Sequence, residues 1–206
     1  MPSSTSRTDL PSDTYPATEP VIVVSGLPRS GTSLMMNMLR AGGVPIVTDE
    51  QRTADDDNPR GYFELERVKQ LGKGDVSWVQ DAHGRAVKVI SALLEHLPPS
   101  STYRVLFMQR RLPEVLASQR KMLERRGEPT DAVPDEKMAA LFEKHLEKIG
   151  AWLAEQPNFS VLYVPYHDLA ERPASQLDRI IGFLGRELDR DAMLAAVDPA
   201  LYRNSA

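Results

Sequence analysis

The sequence predicts an α/β fold of three layers, in which helices flank a central parallel sheet. Apolar runs typical of buried strands alternate along the chain with segments whose apolar residues recur at helical spacing. These runs are apolar on both faces, which is the pattern of strands covered by helices on each side. The chain has 206 residues, enough for one well-buried core and short for two.

The first ordered element is expected just after residue 18. Residues 1–18 are rich in Ser, Thr, Pro and Asp and poor in large apolar side chains, so we expect a disordered arm followed by a single domain over residues 19–206. Residues 20–25 are a continuous β-branched run that predicts a buried parallel strand. Residues 26–31, here called the glycine loop, lead into a predicted helix over 32–41, which a pair of glycines ends.

The middle of the chain alternates in the same way. A short strand is predicted over 44–47, and the polar residues 49–60 predict a loop. A helix is predicted over 63–71, and apolar runs predict strands over 86–90 and 103–108.

The last third supplies the remaining helices and one strand. A helix is predicted over 113–125, and glycine and two prolines interrupt the chain between 127 and 134. A long amphipathic helix is predicted over 135–155, a strand over 160–164 and a helix over 174–184. Ligands of such a sheet bind beyond the carboxyl ends of its strands, so the glycine loop and the residues after 108 are expected at one edge.

Composition excludes several classes of function. There is no cysteine, which excludes disulfides, thiolate catalysis and cysteine-ligated zinc and favours a reducing cytoplasm. The net charge of −4 argues against general nucleic-acid affinity. The apolar runs are far shorter than the roughly 20 residues that span a bilayer, so no membrane span is expected, and no secretory signal is recognisable.

The glycine loop has the composition of an anion site. It lies between a predicted buried strand and a predicted helix, where backbone N–H groups and the helix amino terminus attract negative charge. Gly26, Gly31 and Ser33 fit the P-loop pattern G-x-x-x-x-G-K-[ST], but Thr32 stands in place of its lysine. That lysine is central to ATP and GTP chemistry, so an ordinary kinase or NTPase is disfavoured. Arg29 instead places a permanent cation in the loop.

The loop sequence Gly-Leu-Pro-Arg-Ser-Gly-Thr-Ser at residues 26–33 resembles the phosphosulfate loop of the sulfotransferase superfamily. It has the Pro-Arg-Ser-Gly-Thr form of bacterial members, whereas eukaryotic cytosolic members have lysine at the position of Arg29. The resemblance implies a P-loop-type fold and 3′-phosphoadenosine 5′-phosphosulfate (PAPS) as sulfuryl donor, without a metal. It also implies that the donor is bound by Gly26, Pro28, Arg29, Ser30, Gly31, Thr32 and Ser33.

Two further segments match the superfamily. Arg110, after a predicted strand, and Ser118, eight positions later, are similar to the pair that holds the 3′-phosphate of PAPS. Arg111 competes with Arg110 for that role. Residues 166–169 with 173–185 resemble the strand-to-helix segment near the carboxyl terminus. The resemblance covers roughly residues 20–186.

The resemblance also suggests catalytic residues besides Arg29. Lys88 resembles a lysine that precedes the catalytic histidine of cytosolic members, so it is expected to neutralise the bridging oxygen; a lysine that merely reaches solvent is the alternative. Two residues later stands Ile90 and no histidine, so the general base must come from elsewhere. His96 is one candidate, although its spacing from Lys88 differs from the family pattern.

Many sulfotransferases take a glutamate from the segment after the first helix as the base. Glu64 is the first choice here, with Asp49 and Glu50 as weaker candidates. A carboxylate that stabilises a helix amino terminus is the other interpretation of Glu64.

The expected activity is transfer of a sulfuryl group from PAPS to a hydroxyl or amine by in-line displacement. An atypical P-loop nucleotide kinase or NTPase, or a non-catalytic nucleotide-binding protein of this fold, is the alternative. The acceptor class, small molecule or glycan, does not follow from the sequence. An exposed apolar helix face would allow a homodimer.

Overall fold

The part of the chain that the structure describes forms a sheet of four strands, all parallel. The computed structural model of the chain describes residues 19–49, 61–130 and 133–197. Within these ranges the strand order is β2-β1-β3-β4, and every neighbouring pair is parallel. The strands are β1 (Val21–Gly26), β2 (Ala86–Lys88), β3 (Tyr103–Gln109) and β4 (Phe159–Pro165). The predicted central parallel sheet is confirmed.

Helices connect the strands and cover both faces of the sheet. They are α1 (Thr32–Ala41), α2 (Leu112–Arg126), α3 (Asp135–Glu155), α4 (Tyr166–Glu171), α5 (Pro173–Leu184) and α6 (Arg190–Ala195). Three 3₁₀ segments lie around β2, over Glu66–Lys73, Ser77–Ala82 and Ser91–His96. Within the described ranges no helix is both long and apolar enough to cross a membrane.

Two apolar cores lie on opposite faces of the sheet. Ile22 of β1 and Leu106 of β3 pack against α1, α4, α5 and α6, and this core is called the α1 side. Val23 and Val105, the next residues along each strand, pack against α3 and the 3₁₀ segments, on the α3 side. Because adjacent residues of a strand face opposite ways, strands with a core on both sides are apolar along most of their length, as residues 21–24 and 105–108 are.

The predicted strand over 44–47 is wrong. Val47 donates to the carbonyl of Ala86 and the amide of Ala86 donates to the carbonyl of Pro45, both at 2.8 Å. These bonds belong to one isolated bridge, between Ile46 and Ala86. Proline has no N–H to extend the ladder beyond it, so the pairing stops at that bridge.

The predicted helix over 63–71 also differs from the structure. Gly61 and Phe63 have φ of 93° and 50°, in the left-handed region, so an α-helix cannot begin at Phe63. The helical segment starts three residues later and is a 3₁₀ helix, Glu66–Lys73. The expected arm, residues 1–18, lies outside the described residues, as do Glu50 and residues 198–206.

Candidate active site

The glycine loop joins the carboxyl end of β1 to the amino end of α1. A Cβ at Gly26 would lie 2.5 Å from Ser30 Oγ and 2.7 Å from the carbonyl oxygen of Met108. Gly31 has φ 101°, and a Cβ there would lie 2.3 Å from the ring of Tyr166. Both positions therefore require glycine, and the loop is drawn tightly over the edge of the sheet. Within the described residues, no side chain caps the amino end of α1, which leaves that end open to an anion.

Arg29 is the residue through which the loop is bonded to the rest of this edge. Its backbone is in the left-handed region, with φ 70°. Its Nε donates to Ser118 Oγ on α2 at 3.0 Å, and its carbonyl oxygen accepts from Nη1 of Arg110 at 3.1 Å. The structure therefore brings together the two segments that the sequence singled out separately.

Arg110 is held in place on three sides. Its Nε donates to Oε2 of Glu114 at 3.0 Å, and the two side chains are only 7% and 1% exposed. The ring of Tyr166 stacks under the guanidinium, with 4.4 Å from Cζ to the ring centroid. Arg111, the competing residue, is exposed and precedes the first turn of α2. The geometry at the loop favours Arg110 over Arg111.

The hydroxyls of the loop differ in burial. Ser30 is 1% exposed, and among the described residues its Oγ has no hydrogen-bond partner. A buried hydroxyl without a partner is costly, so this atom is suited to a ligand oxygen. Thr32 and Ser33, at the start of α1, are half-buried, whereas Pro28 is exposed. The cradle formed by Gly26, Gly31 and Ser30 fits a phosphate or sulfate group.

Lys88 and Glu64 meet on the α1 side of the sheet. Lys88 pairs with Val24 of β1, two residues before Gly26, which places it beside the glycine loop. Its Nζ donates to the carbonyl oxygen of Tyr62 and lies 3.5 Å from Oε1 of Glu64. The predicted lysine and the predicted base are thus one ion pair near the loop.

The other candidate bases are placed differently. Asp49 accepts from the amide of Glu66 at 2.6 Å through Oδ2, and its own amide donates to the carbonyl oxygen of Glu64 at 3.2 Å. Asp49 therefore fixes the segment that carries Glu64. His96 is exposed and ends a 3₁₀ segment that packs on the α3 side through Leu94, so the structure does not bring it to Lys88. Glu50 lies outside the described residues.

Sequence reasoning gave Tyr166 a role in the fold only. In the structure its ring lies between Gly31 and the guanidinium of Arg110. An aromatic residue directly after a buried strand, at the same edge as the loop, was the signal available in the sequence. Residues 19–49, 61–130 and 133–197 contain no group of three or more His, Asp or Glu side chains that could hold a metal ion.

Comparison with known proteins gives one family and several structural relatives. The family described as "Sulfotransferase domain" matches residues 19–204. The chain is similar in structure to mouse sulfotransferase SULT7A1 complexed with PAP, at 14% identity and a TM-score of 0.59 over 93% of this chain and 68% of that one. It is also similar to sulfotransferase STF1 from Mycobacterium tuberculosis H37Rv, at 18% identity and a TM-score of 0.53 over 91% and 72%.

A third structural relative is the sulfotransferase domain from the curacin biosynthetic pathway, at 16% identity and a TM-score of 0.50 over 87% of this chain and 78% of that one. At these identities the structural likeness shows the fold alone. A comparison with curated protein sequences finds no match. The family match spans nearly the whole chain, and the chain therefore belongs to the sulfotransferase domain family and is a sulfotransferase enzyme.

Proposed function

We propose that the chain uses PAPS as donor and transfers its sulfuryl group to a hydroxyl or amine acceptor. The observation that carries this proposal is the junction of Arg29 with Ser118 and Arg110, which gathers cationic and hydroxyl groups above a glycine cradle. Two anionic groups of one nucleotide, a 5′-phosphosulfate and a 3′-phosphate, suit this pair of adjoining sites. Thr32, at the position of the P-loop lysine, argues against a nucleotide kinase or NTPase.

Donor binding divides between the two sites. The cradle of the glycine loop, with the amino end of α1, would hold the 5′-phosphosulfate, and the hydroxyls of Ser30, Thr32 and Ser33 would add hydrogen bonds. Arg110 and Ser118 would hold the 3′-phosphate. The buried contact with Glu114 and the ring of Tyr166 fix the guanidinium before any ligand arrives, which lowers the entropic cost of binding.

The transfer step requires alignment and charge neutralisation. The bond between sulfur and the bridging phosphate oxygen breaks, a bond from sulfur to the acceptor oxygen or nitrogen forms, and adenosine 3′,5′-bisphosphate leaves with the electron pair. Arg29 and Lys88 supply positive charge beside the loop, where charge develops on the leaving phosphate. We expect no metal to take part.

Glu64 is the proposed general base. Its carboxylate lies 3.5 Å from Lys88 Nζ, and we expect the acceptor to meet the donor beside this pair. The carboxylate would take the proton that the acceptor loses. Asp49, Glu50 and His96 are the alternatives, and the bond from Asp49 to the Glu66 amide suits a positioning role better than a catalytic one.

We also propose a class of acceptor, a compartment and an oligomeric state. The acceptor is a small molecule or a glycan. The lack of cysteine suits a reducing cytoplasm. A homodimer formed through an exposed helix face, as the sequence allows, is tested by light scattering at several protein concentrations.

Calorimetry with adenosine 3′,5′-bisphosphate tests the proposal, with ATP and 5′-AMP for comparison, each with and without Mg²⁺. We expect metal-independent binding of the bisphosphate that weakens more than tenfold in Arg110→Ala, since a charged pairing contributes about 1.5–3 kcal/mol. Arg111→Ala is the matched control and should bind like the original protein. Preference for ATP with Mg²⁺ would contradict the proposal and favour the kinase or NTPase alternative. Absence of nucleotide binding would contradict it as well and favour a non-catalytic protein.

A further inference from the structure

A cavity beside the proposed donor site opens between α3 and the carboxyl ends of β3 and β4. Its volume is about 340 Å³, which is in the range of small-molecule sites, about 300–1,000 Å³. Leu27 of the glycine loop, Phe107 of β3 and Leu146 of α3 are among the residues that line it. It adjoins the donor site and has room for one small molecule.

The wall of the cavity that α3 and the strands form is apolar and partly aromatic. Phe107 and Tyr163 lie side by side, with 5.5 Å between ring centroids, and both line the cavity. Tyr163 is 38% exposed although it lies within a strand. Ile149 and Leu146 form the opposite wall on α3. Two tilted rings facing aliphatic side chains suit an apolar ring, which would bury the exposed surface of Tyr163.

Gly150 keeps the cavity open. It lies within the 21-residue helix α3, where glycine is less favourable than alanine. A Cβ at this position would meet nothing nearer than Tyr163 Oη, at 4.0 Å. Neither a close contact nor the backbone requires glycine here. The absence of a side chain leaves room in front of the tyrosine.

The edge of the cavity nearest the glycine loop is polar. Ser30 Oγ, which has no partner among the described residues, belongs to a residue that lines the cavity. Gln109 and Arg110 line the same edge. Arg110 is the one cation among the lining residues, and the proposed function assigns it to the 3′-phosphate, so a ligand of the cavity would place its polar group among uncharged atoms and is best neutral.

The apolar wall of the cavity and the Lys88–Glu64 pair lie on different faces of the sheet. Ala86, two residues before Lys88 on β2, packs on the α1 side, so Lys88 points to that side as well. Phe107 and Ile149 of the cavity pack on the α3 side. The apolar wall is therefore on the face of the sheet away from the proposed base, although Met108, which also lines the cavity, packs on the α1 side.

We propose that this cavity is a second small-molecule site, which takes a compound with an apolar ring and one neutral hydrogen-bonding group. The ring would lie between Tyr163 and α3, and the polar group would bond to Ser30 or Gln109. Because Ser30 belongs to both sites, a ligand here would be a direct neighbour of the donor. At Ser30 and Arg110 this proposal rests on the proposed function, whereas the apolar wall and Gly150 take no part in the proposed nucleotide binding, so the two sites can be tested separately.

Acetophenone is the probe, because it has a ring and a carbonyl group but no hydroxyl or amine that could act as an acceptor. We expect titration followed by NMR to give a dissociation constant at about the millimolar level or tighter, as for other fragments. Sodium benzoate, with the same ring and a charge, should bind at least tenfold more weakly. Gly150→Leu should weaken acetophenone binding at least tenfold by filling the cavity.

Gly182→Leu is the matched control. Gly182 is also a helical glycine, in α5, and its Cβ would meet nothing within 4 Å. It should bind acetophenone like the original protein. Leu146→Phe serves as a second filling variant if Gly150→Leu does not fold. Binding of adenosine 3′,5′-bisphosphate by each variant reports separately on the donor site. Absence of acetophenone binding, equal binding in the filled variants, or tighter binding of benzoate would overturn the proposal.

Discussion

Nε of Arg29 donates to Oγ of Ser118 at 3.0 Å, across 89 positions of sequence. The bond joins the glycine loop to α2, and the bond from Arg110 to the carbonyl oxygen of Arg29 adds a second connection to the same loop residue. The loop and the start of α2 therefore form one polar unit before any nucleotide binds. Substitution of Arg29 or Ser118 should therefore weaken anion binding at both proposed sites.

Ser118→Ala tests this connection. The substitution removes the acceptor of the Arg29 bond and a donor proposed for the 3′-phosphate, while the Arg110–Glu114 pair stays intact. We expect affinity for adenosine 3′,5′-bisphosphate to fall about tenfold to a hundredfold, since hydrogen bonds to charged groups contribute about 1.5–3 kcal/mol. Calorimetry measures the change.

Ser175→Ala is the control for that substitution. Ser175 is an exposed serine whose Oγ donates to the carbonyl oxygen of Arg172, in the first turn of α5. Its loss should leave nucleotide affinity unchanged. Equal affinities of the original protein and Ser118→Ala would show that neither the bond to Arg29 nor a contact of Ser118 with the nucleotide contributes to binding.

Gly31→Ala should damage both stability and nucleotide binding. The new Cβ would stand 2.3 Å from the ring of Tyr166, which supports Arg110, and φ is 101°. Left-handed backbone costs about 1–2 kcal/mol for a residue with a Cβ, and the overpacked ring adds about 1–3 kcal/mol. Urea unfolding should show a loss of about 2–5 kcal/mol.

Gly43→Ala separates the two contributions. Gly43 has a similar φ of 90°, but a Cβ there would meet nothing within 4 Å. We expect this variant to lose only the backbone share, about 1–2 kcal/mol, and to keep its affinity for adenosine 3′,5′-bisphosphate. Equal losses in the two variants would mean that the ring of Tyr166 moves aside at no cost.

Glu64→Gln tests the proposed base. With an acceptor identified by a screen against PAPS, turnover should fall about 10²–10⁴-fold, the usual contribution of general-base catalysis. Affinity for adenosine 3′,5′-bisphosphate should change little, because the carboxylate pairs with Lys88 and is not among the proposed donor ligands. Release of the bisphosphate from PAPS measures the turnover.

Glu66→Gln is the control for the base. Glu66 lies two residues along the same segment and its side chain pairs with the exposed Lys69 at 2.6 Å. Its turnover should match that of the original protein. Full activity in Glu64→Gln would mean that Asp49, Glu50 or His96 is the general base. Substitution of Asp49 by asparagine, and of Glu50 or His96 by glutamine, would then distinguish these three.

Much of the fold was predictable because the sheet buries both faces. Residues 21–26, 103–109 and 159–165 are apolar enough to be recognised as strands, and their helices follow at helical spacing. The segment between α1 and β2 was not predictable in the same way. Its shape depends on Phe63 at φ 50° and on one bridge to Ala86, both of which tertiary packing decides.

In the candidate site, too, local features could be predicted from the sequence, whereas contacts made by tertiary packing could not. The glycine loop is local, so spacing alone points to it. Resemblance supplied the pair of Arg110 and Ser118, whereas the contact of Tyr166 with Gly31 arises only when β4 is placed beside β3. Glu114 of α2 follows Arg110 by four residues, so their pairing could be predicted from the sequence. The burial of the pair could not.

Glu114→Gln should destabilise the protein strongly. The carboxylate is 1% exposed and faces a guanidinium that is 7% exposed, so its neutralisation leaves a buried charge without a counterion. We expect a loss of about 3–5 kcal/mol in the free energy of unfolding, measured by urea denaturation. Glu124→Gln, an exposed position on the same helix, should change stability by less than about 0.5 kcal/mol.

The double variant Arg110→Met with Glu114→Leu completes this test. Removing both charges leaves none unpaired, so stability should return towards that of the original protein, because a buried pair can be replaced by apolar residues at little cost. The double variant should nevertheless not bind adenosine 3′,5′-bisphosphate, because it lacks Arg110, the proposed ligand of the 3′-phosphate. A stable double variant that still binds the bisphosphate with full affinity would show that Arg110 serves the fold and not the nucleotide.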